Sequence, residues 1–141
     1  MTLTLAHANA ILSGALKKGA ELGLKPVTVA VLDAGGHLIA LQRQDGSSNM
    51  RPQIAIGKAS GALALGVSSR KVGEMAIERP TFIATLASLA TAGIIPAAGG
   101  VLVTGSSGSI IGAVGVTGDT SDNDELCALA GVTAAGLSVR G

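Results

Sequence analysis

The sequence predicts an α+β fold, an antiparallel sheet built from two hairpins and framed by a helix at each end of the chain. Three observations carry this. Two pairs of short apolar, β-branched segments are each hinged by a glycine-containing turn. The stretches before the first pair and after the second repeat apolar residues at helical spacing. The region between the pairs opens two of its segments with proline, as helices do. Hairpins imply antiparallel pairing, and helices of this length must cover a sheet face.

Taken in order, Thr4 caps a first helix running from Leu5 to Leu22, with Leu5, Ala8, Leu12, Ala15, Leu16 and Gly19 as its small-residue stripe. Gly23 and Pro26 end it. Val27–Asp33 is nearly all apolar, as a covered strand should be, Ala34–His37 turns the chain, and Leu38–Gln44 returns. Pro52 suits the first turn of a second helix over Gln53–Leu65. A shorter helix follows Ser68 or Ser69, and Pro80 opens another that runs to about Ala90. Val101–Thr104 and Ile110–Val116 make the second hairpin around Gly105–Ser109. The last helix begins at Asp122 or Asn123, where Asp122 and Glu125 have capping-box spacing, and Leu126, Leu129, Ala130, Thr133 and Leu137 form its expected buried face.

Composition narrows the function. A single domain over residues 1–141 is large enough for a core that needs neither disulfide nor metal. The hydrophobic fraction is 48%, mean hydropathy is +0.55 and Phe82 is the sole aromatic residue, so the core is built from Ala, Val, Leu and Ile. Such side chains contribute only about 1.5–3 kcal/mol each on burial, and apolar content this high leaves a surplus for subunit contacts. Charged residues are 13% of the chain and the formal net charge is +1, which argues against a nucleic-acid partner. No apolar run is long enough to span a membrane. Met1–His7 has no basic stretch leading into an apolar one, so a cytoplasmic location is expected. Cys127 is the single cysteine, and its apolar neighbours suggest an inert buried thiol.

The densest chemical signal is Pro96-Ala-Ala-Gly-Gly-Val-Leu-Val-Thr104, followed by Ile110–Gly118 and the acidic run Asp119–Glu125. A glycine pair, Gly99-Gly100, at a strand start beside a helix N-terminus predicts a concave surface of free amides that suits an anion or a flat ligand. The acids do not follow a calcium-loop pattern, and no metal site is expected. Gly105–Gly108 and Gly112–Gly115 lack phosphate-loop and dinucleotide spacing. Lys58 is the one charge in Ile54–Leu65; partial desolvation would lower its pKa and make it an acid–base group or amine nucleophile. Glu125 is its candidate partner in proton transfer, and Arg43 and Arg51 could clamp a carboxylate. His37, in the first hairpin turn, is a candidate base or haem ligand.

Together these residues resemble the GlcG/HbpS family, the haem-degrading-type domain also found at the C-terminus of PduO-type proteins. The resemblance rests on Val29–Gly46 with its Asp33-Ala-Gly-Gly-His37 turn, Lys58-Ala59, Pro96–Gly100, Ile111–Gly118, and Asp124-Glu125 leading to Ala130-Gly131. It implies a profilin-like sheet of about five strands covered by helices, assembled as a homodimer, tetramer or octamer. The fifth strand is expected near Ile94-Ile95 or at the N-terminal edge. The resemblance also implies a small ligand, a carboxylate or haem, facing a wall that carries Gly99, Gly100, Thr117 and the Asp124-Glu125 helix start, and leaves the cofactor open with haem among the choices. Two activities follow from it: binding of haem or a related tetrapyrrole, or a small enzyme of organic-acid catabolism. The latter would be a deaminase, tautomerase or hydratase acting on a muconate-like or hydroxy carboxylic acid.

Overall fold

A computed structural model of the protein describes residues 1–140. The elements follow the expected order: α1 (Leu5–Glu21), β1 (Thr28–Asp33), β2 (Leu38–Arg43), α2 (Arg51–Leu65), α3 (Ser69–Glu78), α4 (Pro80–Leu86), β3 (Gly100–Thr104), β4 (Ile110–Thr117), α5 (Ser121–Ala134) and β5 (Ser138–Arg140). The five strands form one sheet in the order β2-β1-β4-β3-β5, with every neighbouring pair antiparallel. The two hairpins therefore join through β1 and β4 at the centre of the sheet.

Strand alternation sorts the side chains into two layers. Val27, Val29, Val31, Val101, Val103, Val114 and Val116 pack with Ile11, Leu12, Ala15, Cys127, Ala128 and Val132 under α1 and α5. Leu32, Leu102 and Ala113 meet Ala59 and Ala62 of α2 on the other face. Val72, Ile83 and Ile94 form a smaller cluster that seats α3 and α4 beyond α2.

Thr4 caps α1 as predicted: its hydroxyl accepts the His7 N–H, and the Thr4 N–H donates to His7 Nδ1. Four sequence expectations change. In α1 the buried stripe includes Ile11, while Leu5 is exposed. The cap of α5 is Thr120, whose hydroxyl accepts the Asn123 N–H, so Asp122 and Glu125 are free for other partners. The buried face of α5 is Asp124, Cys127, Ala128, Gly131 and Val132, leaving Leu126 and Thr133 exposed. The fifth strand is the C-terminal Ser138–Arg140 on the outer edge of β3. Ile94 and Ile95 are instead loop residues set against Gly61 and Gly57 of α2, with the Ile95 N–H donating to the Gly57 carbonyl.

A row of small residues sets how closely α2 lies on the sheet. Ala30, Gly115 and Gly100 are register partners on adjacent strands. A Cβ at Gly115 would collide with the Ala55 carbonyl, and one at Gly100 with the Lys58 carbonyl. Gly115→Ala should therefore cost about 3 kcal/mol, since the obstacle is helix backbone that cannot rotate away. Gly19→Ala should instead stabilise by about 0.5–1 kcal/mol, because its Cβ meets only Cys127 Sγ at 3.7 Å and Val27 at 3.8 Å and helix propensity improves. Urea denaturation of both variants tests the contrast. Equal effects would remove the close approach at Gly115 as the cause.

Candidate functional site

Lys58 lies on the sheet-facing side of α2 and is 3% exposed. Its stem runs past Gly99, where a Cβ would stand 2.9 Å from Nζ and 3.1 Å from Cδ; the φ of 129° at Gly99 also favours glycine. Nζ donates to the Val116 carbonyl at 3.0 Å and to Asp124 Oδ2 at 3.2 Å. Asp124, 1% exposed, accepts the Asp119 N–H on its other oxygen at 2.9 Å. Helix α2, strand β4 and helix α5 thus meet at one buried ion pair. Burial lowers the Lys58 pKa below its ordinary value, against the opposing pull of Asp124. The same burial, reinforced by Asp124 and Asp119, pushes the Cys127 thiol up to about 11, so it stays protonated.

Residues around the pair are largely saturated. Asp119 accepts hydrogen bonds from Asn123 Nδ2 and from the Thr120 and Lys25 N–H groups, which hold it at about 2. The Gly100 N–H donates to Ser69 Oγ at 2.7 Å, and the Gly99 carbonyl accepts the Val116 N–H at 2.9 Å. The glycine pair is therefore no wall of free amides: Ser69 takes the Gly100 N–H, and the Lys58 stem fills the space over Gly99. Nearby, Arg51 Nη1 donates to Thr117 Oγ1 at 2.8 Å and its Nε to Ser48 Oγ at 3.1 Å.

Of the residues singled out from sequence, Lys58, Asp124, Gly99, Gly100, Thr117 and Arg51 come together at this corner. Glu125 does not join Lys58. One position along α5 turns it by about 100°, and with Asp122 it grips Arg70 of α3 at the surface. Arg43 stands exposed at the end of edge strand β2, beside an open groove of about 620 Å³ that Leu16, Leu24 and Pro26 also line.

His37 is at the opposite end of the sheet, with its side chain 75% exposed. Asp33 Oδ1 accepts the Gly35 and His37 N–H groups at 2.9 and 3.0 Å and faces His37 Nδ1 at 3.1 Å. These donors, the His37 N–H first, lower the Asp33 pKa. Asp33 is not among the candidate site residues expected from sequence, although an aspartate ahead of Ala34-Gly35-Gly36 is the signal of such a turn. The same turn borders a cavity of about 390 Å³ lined by Met1, Leu3, Ile39, Ile110 and Ile111 together with Asp33 and Gly35.

Breaking the buried pair should be costly. Asp124→Asn or Lys58→Met alone should lose about 3–5 kcal/mol, because each strands the other charge. The double variant should lose less than the sum of the singles in urea titrations; strict additivity would deny the coupling. Between the lowered folded-state pKa of Lys58 and its usual 10.5, the unfolded chain binds the extra proton. Stability from this group therefore rises with pH across that window, and the rise should be absent in Lys58→Met.

Comparison with known proteins places this geometry in context. The family model described as "Haem degrading protein HbpS-like" matches residues 3–133. An uncharacterised 15.0 kDa protein from the dhaT-dhaS intergenic region of Citrobacter freundii is 31% identical over 127 residues, spanning 90% of this chain and 87% of that one. The crystal structure of HbpS superposes with a TM-score of 0.82 at 28% identity, covering 94% of this chain and 89% of the other. That of the PduOC:heme complex covers both chains fully with a TM-score of 0.87 at 18% identity.

Proposed function

The chain belongs to the HbpS-like family of haem-degrading proteins, and from that premise we propose that it is a homo-oligomeric small-ligand-binding protein whose ligand is haem or a related tetrapyrrole. The observation that carries this reading is the exposed His37 imidazole paired with Asp33, on a turn whose Asp33 and Gly35 line an apolar cavity. With the proton placed on Nδ1, His37 donates a hydrogen bond to the Asp33 carboxylate. The Nε2 lone pair is then turned outward, the arrangement of a metal-ligating imidazole with its carboxylate behind it. The cavity supplies aliphatic surface for a flat macrocycle from Leu3, Ile39, Ile110 and Ile111.

The donor set fits haem at this place better than elsewhere. The chain has no tyrosine. Cys127 is buried with its proton retained, and His7 Nδ1 is committed to the cap of α1. His37 would hold the iron, Asp33 would orient the imidazole, and the aliphatic residues would exclude water from one face. Haem, when bound, supplies redox and oxygen chemistry at its iron. Two relatives support the choice of ligand class: the HbpS structure at 28% identity and, on the same fold, PduOC solved with heme. Assembly is supported by apolar residues left in solvent on α3 and just beyond α4, Ile77 at 83% and Leu89 at 77% exposure.

Hemin added to the purified protein should give a sharpened, saturating Soret band. His37→Ala should abolish it, and Asp33→Asn should weaken binding about tenfold through loss of the orienting carboxylate. A featureless titration, or a His37→Ala variant that binds as well as the wild type, would overturn the haem reading. Light scattering on the eluting protein should report a multiple of the 13.7 kDa chain mass; a monomeric mass would remove the oligomer.

A further inference from the structure

The sheet ends in two unlike edges. On one side β5 is only three residues long and carries Arg140, whose Nη2 donates to the Gly108 carbonyl at 2.9 Å. Short, charged edges of this kind resist pairing with other chains. On the other side β2 runs for six residues, Leu38–Arg43, pairs only with β1, and contains neither lysine nor proline. Its outer flank is open.

The main-chain groups exposed on that flank follow from the pairing with β1. The Gln44 N–H donates to the Val27 carbonyl at 3.1 Å, and Thr28–Arg43, Val29–Gln42, Ala30–Leu41 and Val31–Ala40 follow as partners. Residues of an antiparallel pair alternate between turning their N–H and C=O toward the neighbour and away from it. Gln42 and Ala40 therefore bond to β1, while Leu41 and Arg43 turn their donors and acceptors outward. Beyond Ala40 the register shifts, leaving Ile39 as a bulge opposite the Val31–Leu32 step. Beyond Gln44 the chain turns at Asp45-Gly46, where Gly46 has a φ of 86°. The regular stretch of open edge is thus bounded on both sides and centred on Gln42.

Such an edge is complementary to itself. In a two-fold antiparallel pairing about Gln42, Leu41 meets the partner's Arg43 and Arg43 meets the partner's Leu41, each couple exchanging both main-chain hydrogen bonds. No like charges stand directly opposite, and each Arg43 lays its stem along the partner's Leu41 with its charge in water. Moving the axis to Leu41 or Arg43 would bring the bulge or the Asp45-Gly46 turn into the ladder. The groove of about 620 Å³ beside the edge adds a second fit. Leu16, Leu24 and Pro26 make its apolar wall, with Gln44 among its lining. Across from Gln44 this pairing sets the partner's Ala40, with the partner's Ile39 beside it, both on the α1 side of the sheet.

We propose that β2 pairs with β2 of a second copy about a two-fold axis at Gln42, so that the two sheets continue into one. This rests on the oligomeric part of the proposed function and assigns it a surface.

Single cysteines read the axis directly, because the native Cys127 is 0% exposed. In a non-hydrogen-bonded antiparallel pair the Cα atoms stand about 4.5 Å apart, within disulfide reach. Full-length Gln42→Cys should therefore form a covalent dimer under mild oxidation, read on a non-reducing gel. Ala40→Cys and Arg43→Cys should cross-link at least about tenfold more slowly, since neither stands within reach of its own copy. Gln42→Lys, which sets two ammonium groups against each other at the axis, should raise the concentration needed for assembly severalfold in light scattering, with far-ultraviolet circular dichroism unchanged. An oligomeric wild type whose Gln42→Cys variant fails to cross-link, or does so no faster than Ala40→Cys, would overturn the β2 contact and leave the oligomer standing. Unchanged assembly in Gln42→Lys would do the same. A monomeric wild type would overturn both.

Discussion

The buried ion pair between Lys58 and Asp124 is the constraint around which the rest of this structure is arranged. An ammonium removed from water is tolerable only with a carboxylate and further acceptors in contact. Here Asp124 comes from the first turn of α5 and the second acceptor, the Val116 carbonyl, from the end of β4. The pair therefore locks a helix from one face of the sheet to a strand end and to the start of a helix from the other face. Much of the glycine placement serves it. Gly100 and Gly115 let α2 descend onto the strands, and Gly99 leaves the channel through which the lysine stem passes. With larger residues at these positions α2 would be lifted away and the charge stranded.

That arrangement gives the sheet two chemically different ends. At the α2 end, Lys58 is matched to Asp124 and the Asp119 carboxylate to amide donors, while Arg51 is left over among hydroxyls. At the other end, the Asp33-to-His37 turn holds an exposed imidazole on Asp33, and Asp33 and Gly35 line an aliphatic cavity. β1, buried along nearly its whole length, separates them rigidly.

The legible parts of the fold were those set by local chemistry. The two hairpins follow from β-branched runs around glycine turns, and the cap at Thr4 from its side chain. Lys58 stood out because one charge interrupts an otherwise apolar helical segment. The face of α5 was misread because Ala, Leu and Gly surround that helix on every side, so periodicity cannot separate core from surface. Asp124 and Glu125 are chemically near-identical neighbours; only packing decides that the first is buried against Lys58 and the second reaches Arg70. β5 escaped notice because three residues at the chain end become a strand only by pairing with β3.

By itself, the sequence determined the fold class, the order of elements, the small-residue character of the core and the residues able to carry charge inside it. These depend on spacing and side-chain type, which are local. Only the tertiary structure decided which acid neutralises Lys58, that Ser69 and the Lys58 stem occupy the glycine pair, that Asp33 stands behind His37, and that Arg51 meets hydroxyls rather than a carboxylate. Each of these is a contact between residues distant in sequence, or a difference of one helix position. Its energy comes from burial, which exists only once the layers have closed.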